Sequence, residues 1–327
     1  MREAAFIQRN QTKWQHLEQV VKGLNKLTGD EASDLYVQLN DDLAYAQTFY
    51  PKSKITIYLN GLLLRLHQHI YRNQRTPRKR FITFWTQEVP LAAAQARKNL
   101  LFSFITFALA ALLGAVSAEH DLTFVRLVIP NGDQYVDMTL ENIKNGKAMD
   151  VYASADEGEM FLMITTNNIK VSLLCFVLGI FASFGSALML LQNGVMVGAF
   201  QYFFYQHGVL EVSALTLWVH GTLEISAIII AGGAGYCLGN GFLFPGTLTR
   251  GESFRRGAKT GLKVVIGLIP VFIVAGFLES FVTRHAPVLN TWVCLTIILG
   301  SLAWIIYYFI ILPYHAERRA HPVAPSA

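Results

Sequence analysis

The sequence predicts an all-α polytopic membrane protein, and three observations carry that prediction. Of 327 residues, 53% are apolar and only 15% are charged, whereas a soluble domain carries about 25% charge. The runs 99–118, 171–210, 225–249 and 285–316 contain no Asp, Glu, Lys or Arg, and a helix needs only about 20 apolar residues to cross a bilayer. Basic and acidic clusters also alternate along the chain, as loops on opposite sides of a membrane do. A soluble enzyme is excluded.

Residues 1–98 are read as a cytoplasmic helical domain. They hold 15 Lys/Arg against 8 Asp/Glu, with the basic residues gathered at Arg72, Arg75, Arg78, Lys79, Arg80, Arg97 and Lys98. Phe6, Trp14, Leu17, Val21 and Leu24 recur at helical spacing, and Asp30–Phe49 and Ile55–Tyr71 read as two more helices separated by Pro51. The start, MREAAFIQRNQTKWQ, lacks a charged-then-apolar signal pattern, so no cleaved leader is expected. The net charge of +5 does not imply nucleic acid, because juxtamembrane Lys and Arg already serve orientation and contact with anionic lipid.

The run 99–118 is the first transmembrane helix. Residues 119–162 follow as an external acidic lobe, with 9 acids against Arg126, Lys144 and Lys147. Within it Leu122–Ile129 and Gln134–Leu140 alternate and are rich in β-branched and aromatic residues, and Asn131-Gly132 is a hairpin signal, so a β-hairpin is expected there. Residues 163–312 form the transmembrane core and 313–327 a cytoplasmic tail. Arg250, Arg255, Arg256, Lys259 and Lys263 return the chain to the inside, which requires an odd number of crossings after the lobe. The run 171–210 supplies two, broken near Asn193-Gly194, and the segment 212–239 a third. With 262–283 and 290–312 the total is six. A re-entrant 194–208, made polar by Gln201, Gln206 and His207, would leave five and break the charge rule at one loop.

Ionisable groups at membrane depth are costly and mark functional or structural contacts. Here they are Glu211, His220, Glu224 and Glu279, accompanied by Asn167, Asn168 and Asn193. His220 and Glu224 are four apart and share a helix face, which suits a proton relay, half of a metal site, an acid/base pair or interhelical polar glue. No second ligand pair is spaced to complete a metal site, so no metal or other cofactor is expected. Ser226 and Ser280 sit in no activating motif, so no catalytic residue is expected either. The stretch Gly221-Thr-Leu-Glu224 echoes Gly276-Phe-Leu-Glu279 on a helix of opposite direction, as inverted repeats do. Cys175, Cys237 and Cys294 all lie in apolar runs and imply neither disulfides nor a redox motif.

The order Asn167-Asn-Ile-Lys-Val171, Gly179, Asn193-Gly-Val-Met-Val-Gly198, His220-Gly-Thr-Leu-Glu224 with Ala231-Gly232, and Ala275–Thr283 closely resembles the stage II sporulation protein M family over roughly residues 95–312. The resemblance makes Asn167, Asn168, Asn193, Gly194, His220, Gly221, Glu224 and Glu279 the family-motif polar and glycine positions. It implies a multi-pass protein of the bacterial cytoplasmic membrane, usually with about five spans. It also implies a non-enzymatic scaffold of the cell envelope, whose partners are peptidoglycan-remodelling proteins or a MoxR-type ATPase system. The alternative from another class is a transporter or channel using His220, Glu224 and Glu279.

Overall fold

The computed structural model describes residues 2–21, 29–72, 77–121, 123–129, 131–146, 149 and 156–320. Leu24, Arg75 and Leu122 lie outside them, as do the side chains of Tyr71, Arg72, Arg78 and Lys79. The chain forms two compact units, residues 1–82 and 83–327, and the described residues are helical with no strand.

The first unit contains α1 (Glu3–Val21), α2 (Gly29–Phe49) and α3 (Lys54–Arg72). Leu39, Leu43 and Ala46 of α2 and Ile55, Leu59, Leu62 and Leu66 of α3 recur every three or four residues, the period of one buried helix face. They close a core with Phe6, Trp14 and Leu17 of α1. Phe6 stacks on Tyr45 at 5.0 Å, and the Trp14 indole donates to Asp42 at 2.9 Å. The apolar stripe of α1 is therefore spent on packing within the unit. Ile57 and Leu64, seven apart on α3, stay exposed.

A short α4 (Pro77–Thr83) leads through one π-helical turn, Phe84–Glu88, into α5 (Val89–His120). The helical run Arg80–His120 is the first of six among the described residues long and apolar enough to cross a membrane. It extends well beyond the charge-free 99–118. Next come α6 (Thr123–Val128) and α7 (Gly132–Lys144), where the sequence predicts a β-hairpin. That prediction is overturned, and the physical reason is a competing period. Gly132, Val136 and Thr139 are buried at steps of four and three, a helix face that packs with Val125 on Ala118, Ala199, Phe203 and Phe204. β-propensity yields readily to such tertiary burial. Asp121 accepts from the Thr123 amide at 2.9 Å and starts α6. Arg126 donates to Asp137 at 2.6 Å, clamping the two helices and holding the Asp137 carboxyl below the usual range.

The remaining spans are α8 (Glu157–Val177, prolonged by a 3₁₀ turn to Ile180), α9 (Phe184–Gln206), α10 (Leu210–Leu243), α11 (Arg250–Phe277, prolonged by a π turn to Val282) and α12 (Thr291–Ile306), which a π turn, Tyr307–Ile311, joins to α13 (Leu312–Ala320). The break expected at Asn193-Gly194 lies instead at Ala182 and Ser183, both in left-handed backbone. Asn193-Gly194 belongs to the interior of α9, a continuous helix of about 34 Å, so 194–208 continues a span and makes no re-entrant hairpin. Gly194 is there for contact, since a Cβ would come within 2.7 Å of Ala110 Cβ and 2.8 Å of the Phe107 carbonyl. α10 is the central helix and packs against α5, α8, α9, α11 and α12. Its faces are buried on all sides from Ala227 to Gly239, apart from a partly exposed Ile229.

Candidate functional site

Three helices meet at the polar cluster. α10 presents His220 and, one turn later, Glu224. The π turn that ends α11 carries Glu279 and Ser280, and the 3₁₀ segment Thr283–Val288 begins with Thr283. α8 contributes Asn168. Such single π turns interrupt an α-helix at a local cost and recur at functional sites.

The bonding is specific. His220 Nδ1 lies 2.9 Å from Thr283 Oγ1, and Thr283 Oγ1 donates its one proton to the Leu278 carbonyl at 3.1 Å. Thr283 thus ties His220 to the end of α11, and His220 Nε2 faces Glu279 Oε1 at 3.8 Å. The buried Asn168 side chain lies beside the Glu224 carboxyl. One nitrogen of His220 and one oxygen each of Glu224 and Glu279 all lie within 4.8 Å of one another, close enough to hold one metal ion after small side-chain rotations. His220 is buried, and the side chain of Glu279 is only 14% exposed.

The predicted residues divide sharply. His220, Glu224, Glu279 and Asn168 come together, so both glutamates of the internal echo meet at one site. Gly221, next to His220, is buried in α10. Asn193 instead donates back to the Met189 carbonyl at 2.8 Å within its own helix, and Gly194 serves the α5–α9 contact. Glu211 is exposed at the start of α10. Asn167 faces outward from the bundle, as does Lys170 one turn on.

Sequence reasoning missed Thr283, although it ends a quoted motif, and it missed the unpartnered hydroxyls. Thr165, Ser172 and Ser280 are buried without a hydrogen-bond partner among the described residues. It also missed a second polar layer, in which Asn240 donates to Asn99 at 2.7 Å and accepts from Ser183 at 3.2 Å. A cavity of 760 Å³ between α5, α10 and the α12–α13 helix is almost wholly apolar, with Arg97 and Glu317 paired at 2.9 Å on its rim. It does not include the polar cluster.

Six apolar helices around a buried histidine–glutamate cluster define a multi-pass α-helical membrane protein. A family profile described as stage II sporulation protein M matches residues 103–284, and the chain belongs to that family. A second profile, a domain of unknown function (DUF8413), matches residues 4–72. No curated protein and no solved structure matches the chain.

Proposed function

We propose that the chain is a non-enzymatic scaffold of the bacterial cell envelope that seats partner proteins in the cytoplasmic membrane. By the charge rule its N-terminal unit is cytoplasmic and the α6–α7 lobe external. The partners it best suits are peptidoglycan-remodelling proteins or a MoxR-type ATPase system, with surrounding lipid.

The observation that carries this reading is the outward face of α8. Lys170 is exposed there, about 20 Å along the helix from Glu157 and about 15 Å from Ile180. Neither end is within easy snorkelling reach of a lysine, and a cation facing lipid at that depth is costly. A partner helix bearing a polar or acidic group relieves the cost, and Asn167 offers it a second contact. Transport is less well supported. Between the His220–Glu279 layer and the Asn99–Asn240 layer, α10 runs about 30 Å. Gly179 and Gly239 there press directly on neighbouring backbone, so a Cβ at either would collide with it. Opening a path would require parting contacts of this kind.

The test is a photo-crosslinking residue at position 167 in native membranes, alone and with Lys170→Leu. A discrete adduct containing an envelope-remodelling protein, lost in the Lys170→Leu background, is expected. Adducts to lipid alone, unchanged by the substitution, would refute the scaffold reading.

A further inference from the structure

We propose that the apolar cavity between α5, α10 and the α12–α13 helix holds one acyl chain of an anionic phospholipid, whose phosphate is bound by Arg97 at the rim. The site goes beyond the scaffold reading and needs only that these helices span a bilayer, so the two stand or fall separately.

Placement is the first argument. The 760 Å³ cavity carries its charged residues, Arg97 and Glu317, on the rim. Away from that pair the wall turns apolar, reaching Phe104 on α5 and Leu302 on α12, about 10 Å and about 22 Å along their helices. One leaflet of hydrocarbon is about 15 Å deep. Leu101, Phe104, Leu302 and Ile310 line the cavity and are also exposed on spanning helices, so it opens sideways toward lipid. Water is a poor guest in so apolar a space, because it needs several polar partners. A spanning helix is equally unsuited, since it requires a groove over the full core of about 30 Å. A single lipid chain, polar at one end, matches both the depth and the gradient.

The second argument is that the walls are tied in place. The Tyr308 hydroxyl donates to the Trp85 carbonyl at 2.7 Å, and Arg97 donates to Glu317 at 2.9 Å. The α12–α13 helix is thereby fastened at two points to α5 and to the π turn that leads into it. Between those ties the second π turn sets Phe309, Ile310 and Ile311 all against the cavity. Its wider winding brings successive side chains closer in direction than the steps of about 100° in an α-helix, and such turns recur at functional sites. The cost of an empty apolar cavity rises with its volume, so a gap held open in this way calls for a permanent apolar occupant.

Charge at the rim selects the headgroup. Arg97 uses Nη1 on Glu317, which aims the guanidinium and leaves other donors of its fork for a second anion. Arg318 lies with its guanidinium 4.4 Å from the ring centroid of Tyr314, itself a lining residue. Lys98 follows Arg97 on α5, and both Lys98 and Arg318 are exposed. The described residues at this end therefore carry more positive than negative charge. A forked guanidinium beside further cations suits a phosphate in a headgroup of net negative charge better than a zwitterion.

The experiment is native mass spectrometry of the full-length protein in detergent, titrated with equal amounts of phosphatidylglycerol and phosphatidylethanolamine. One phosphatidylglycerol per chain should survive activation that strips all other lipid. Arg97→Gln should weaken its binding about tenfold, as the loss of one charge-assisted contact does. Ile229→Trp, which fills the cavity and leaves the rim intact, should abolish the retained lipid. Arg255→Gln, which removes an exposed cation from outside the cavity, should leave it unchanged. If Ile229→Trp elutes as aggregate, Leu302→Trp replaces it. Equal weakening in Arg97→Gln and Arg255→Gln, full retention in the filled variant, or equal retention of the two lipids overturns the proposal and assigns the signal to the general lipid annulus. A retained polypeptide in place of lipid overturns it as well.

Discussion

Alanine at Gly194 tests the packing that positions every span around α10. The added Cβ would sit 2.7 Å from Ala110 Cβ and 2.8 Å from the Phe107 carbonyl oxygen, whereas carbon atoms settle at about 3.5–4.0 Å. α5 and α9 must therefore part by about 1 Å at this point. Neither obstacle is the end of a flexible side chain, so rotation relieves nothing. Because helices move as rods, the contacts of Gly114 with Val195 and of Gly198 with Ala111 are strained as well. Overpacking of this kind costs about 1–3 kcal/mol, against which alanine regains at most about 1 kcal/mol of helix propensity. The net loss should be about 1–2 kcal/mol, a fall of about 2–8 °C in thermal midpoint for a unit of this size. Gly300→Ala is the matched control, because an added Cβ there meets nothing within 4 Å, and its midpoint should hold or rise slightly. Thermal unfolding of both variants in one detergent, followed by monodisperse fraction on gel filtration, measures the difference. If Gly194→Ala melts at or above Gly300→Ala, close approach of α5 and α9 is not what this glycine provides.

Two further outcomes follow from the lobe and the loops. Cysteine at Glu141 should react with an impermeant thiol reagent added outside the cell, and cysteine at Arg255 should not. The native Cys175, Cys237 and Cys294 are buried and give little background, and external labelling at 255 would overturn the inside-out assignment. The Asp137 carboxyl is held low by Arg126, so its folded value lies beneath the unfolded one of about 4. Its contribution is full above that unfolded value and is lost as pH falls through the folded one. Protease sensitivity of the α6–α7 lobe should therefore rise only below about pH 4, and Asp137→Asn should be sensitive already at neutral pH.

What the sequence discloses follows from which constraints are local. The spans are legible because an apolar run of about 20 residues has few other uses, and their boundaries are less so. α8 begins at Glu157, 14 residues before the charge-free run. Its first-turn acids sit at a helix N-terminus where negative charge is welcome, capped by Asp156, and Lys170 hides the continuity. The turn at Ala182 and Ser183 contains no Pro, Asn or Asp and so lacks their signal, while Asn193-Gly194 carries that signal for a different reason, close packing. In the lobe, Val136 and Leu140 fit a period of two and a period of 3.6 equally, and only burial against Phe203 and Phe204 decides. The site shows the same division. His220 and Glu224 are legible as a pair because four residues is a helix turn, but Glu279 reaches them across 55 residues of chain through antiparallel packing that no spacing encodes. A weaker rule does connect them. An ionisable group fixed deep in a bundle must find a partner or surrender its charge, so a sequence with three such groups on spanning helices predicts that they meet. Glu211 escapes that rule because it lies at the start of α10 and remains exposed. Depth along the helix, more than residue type, separates the glutamates that converge from the one that does not.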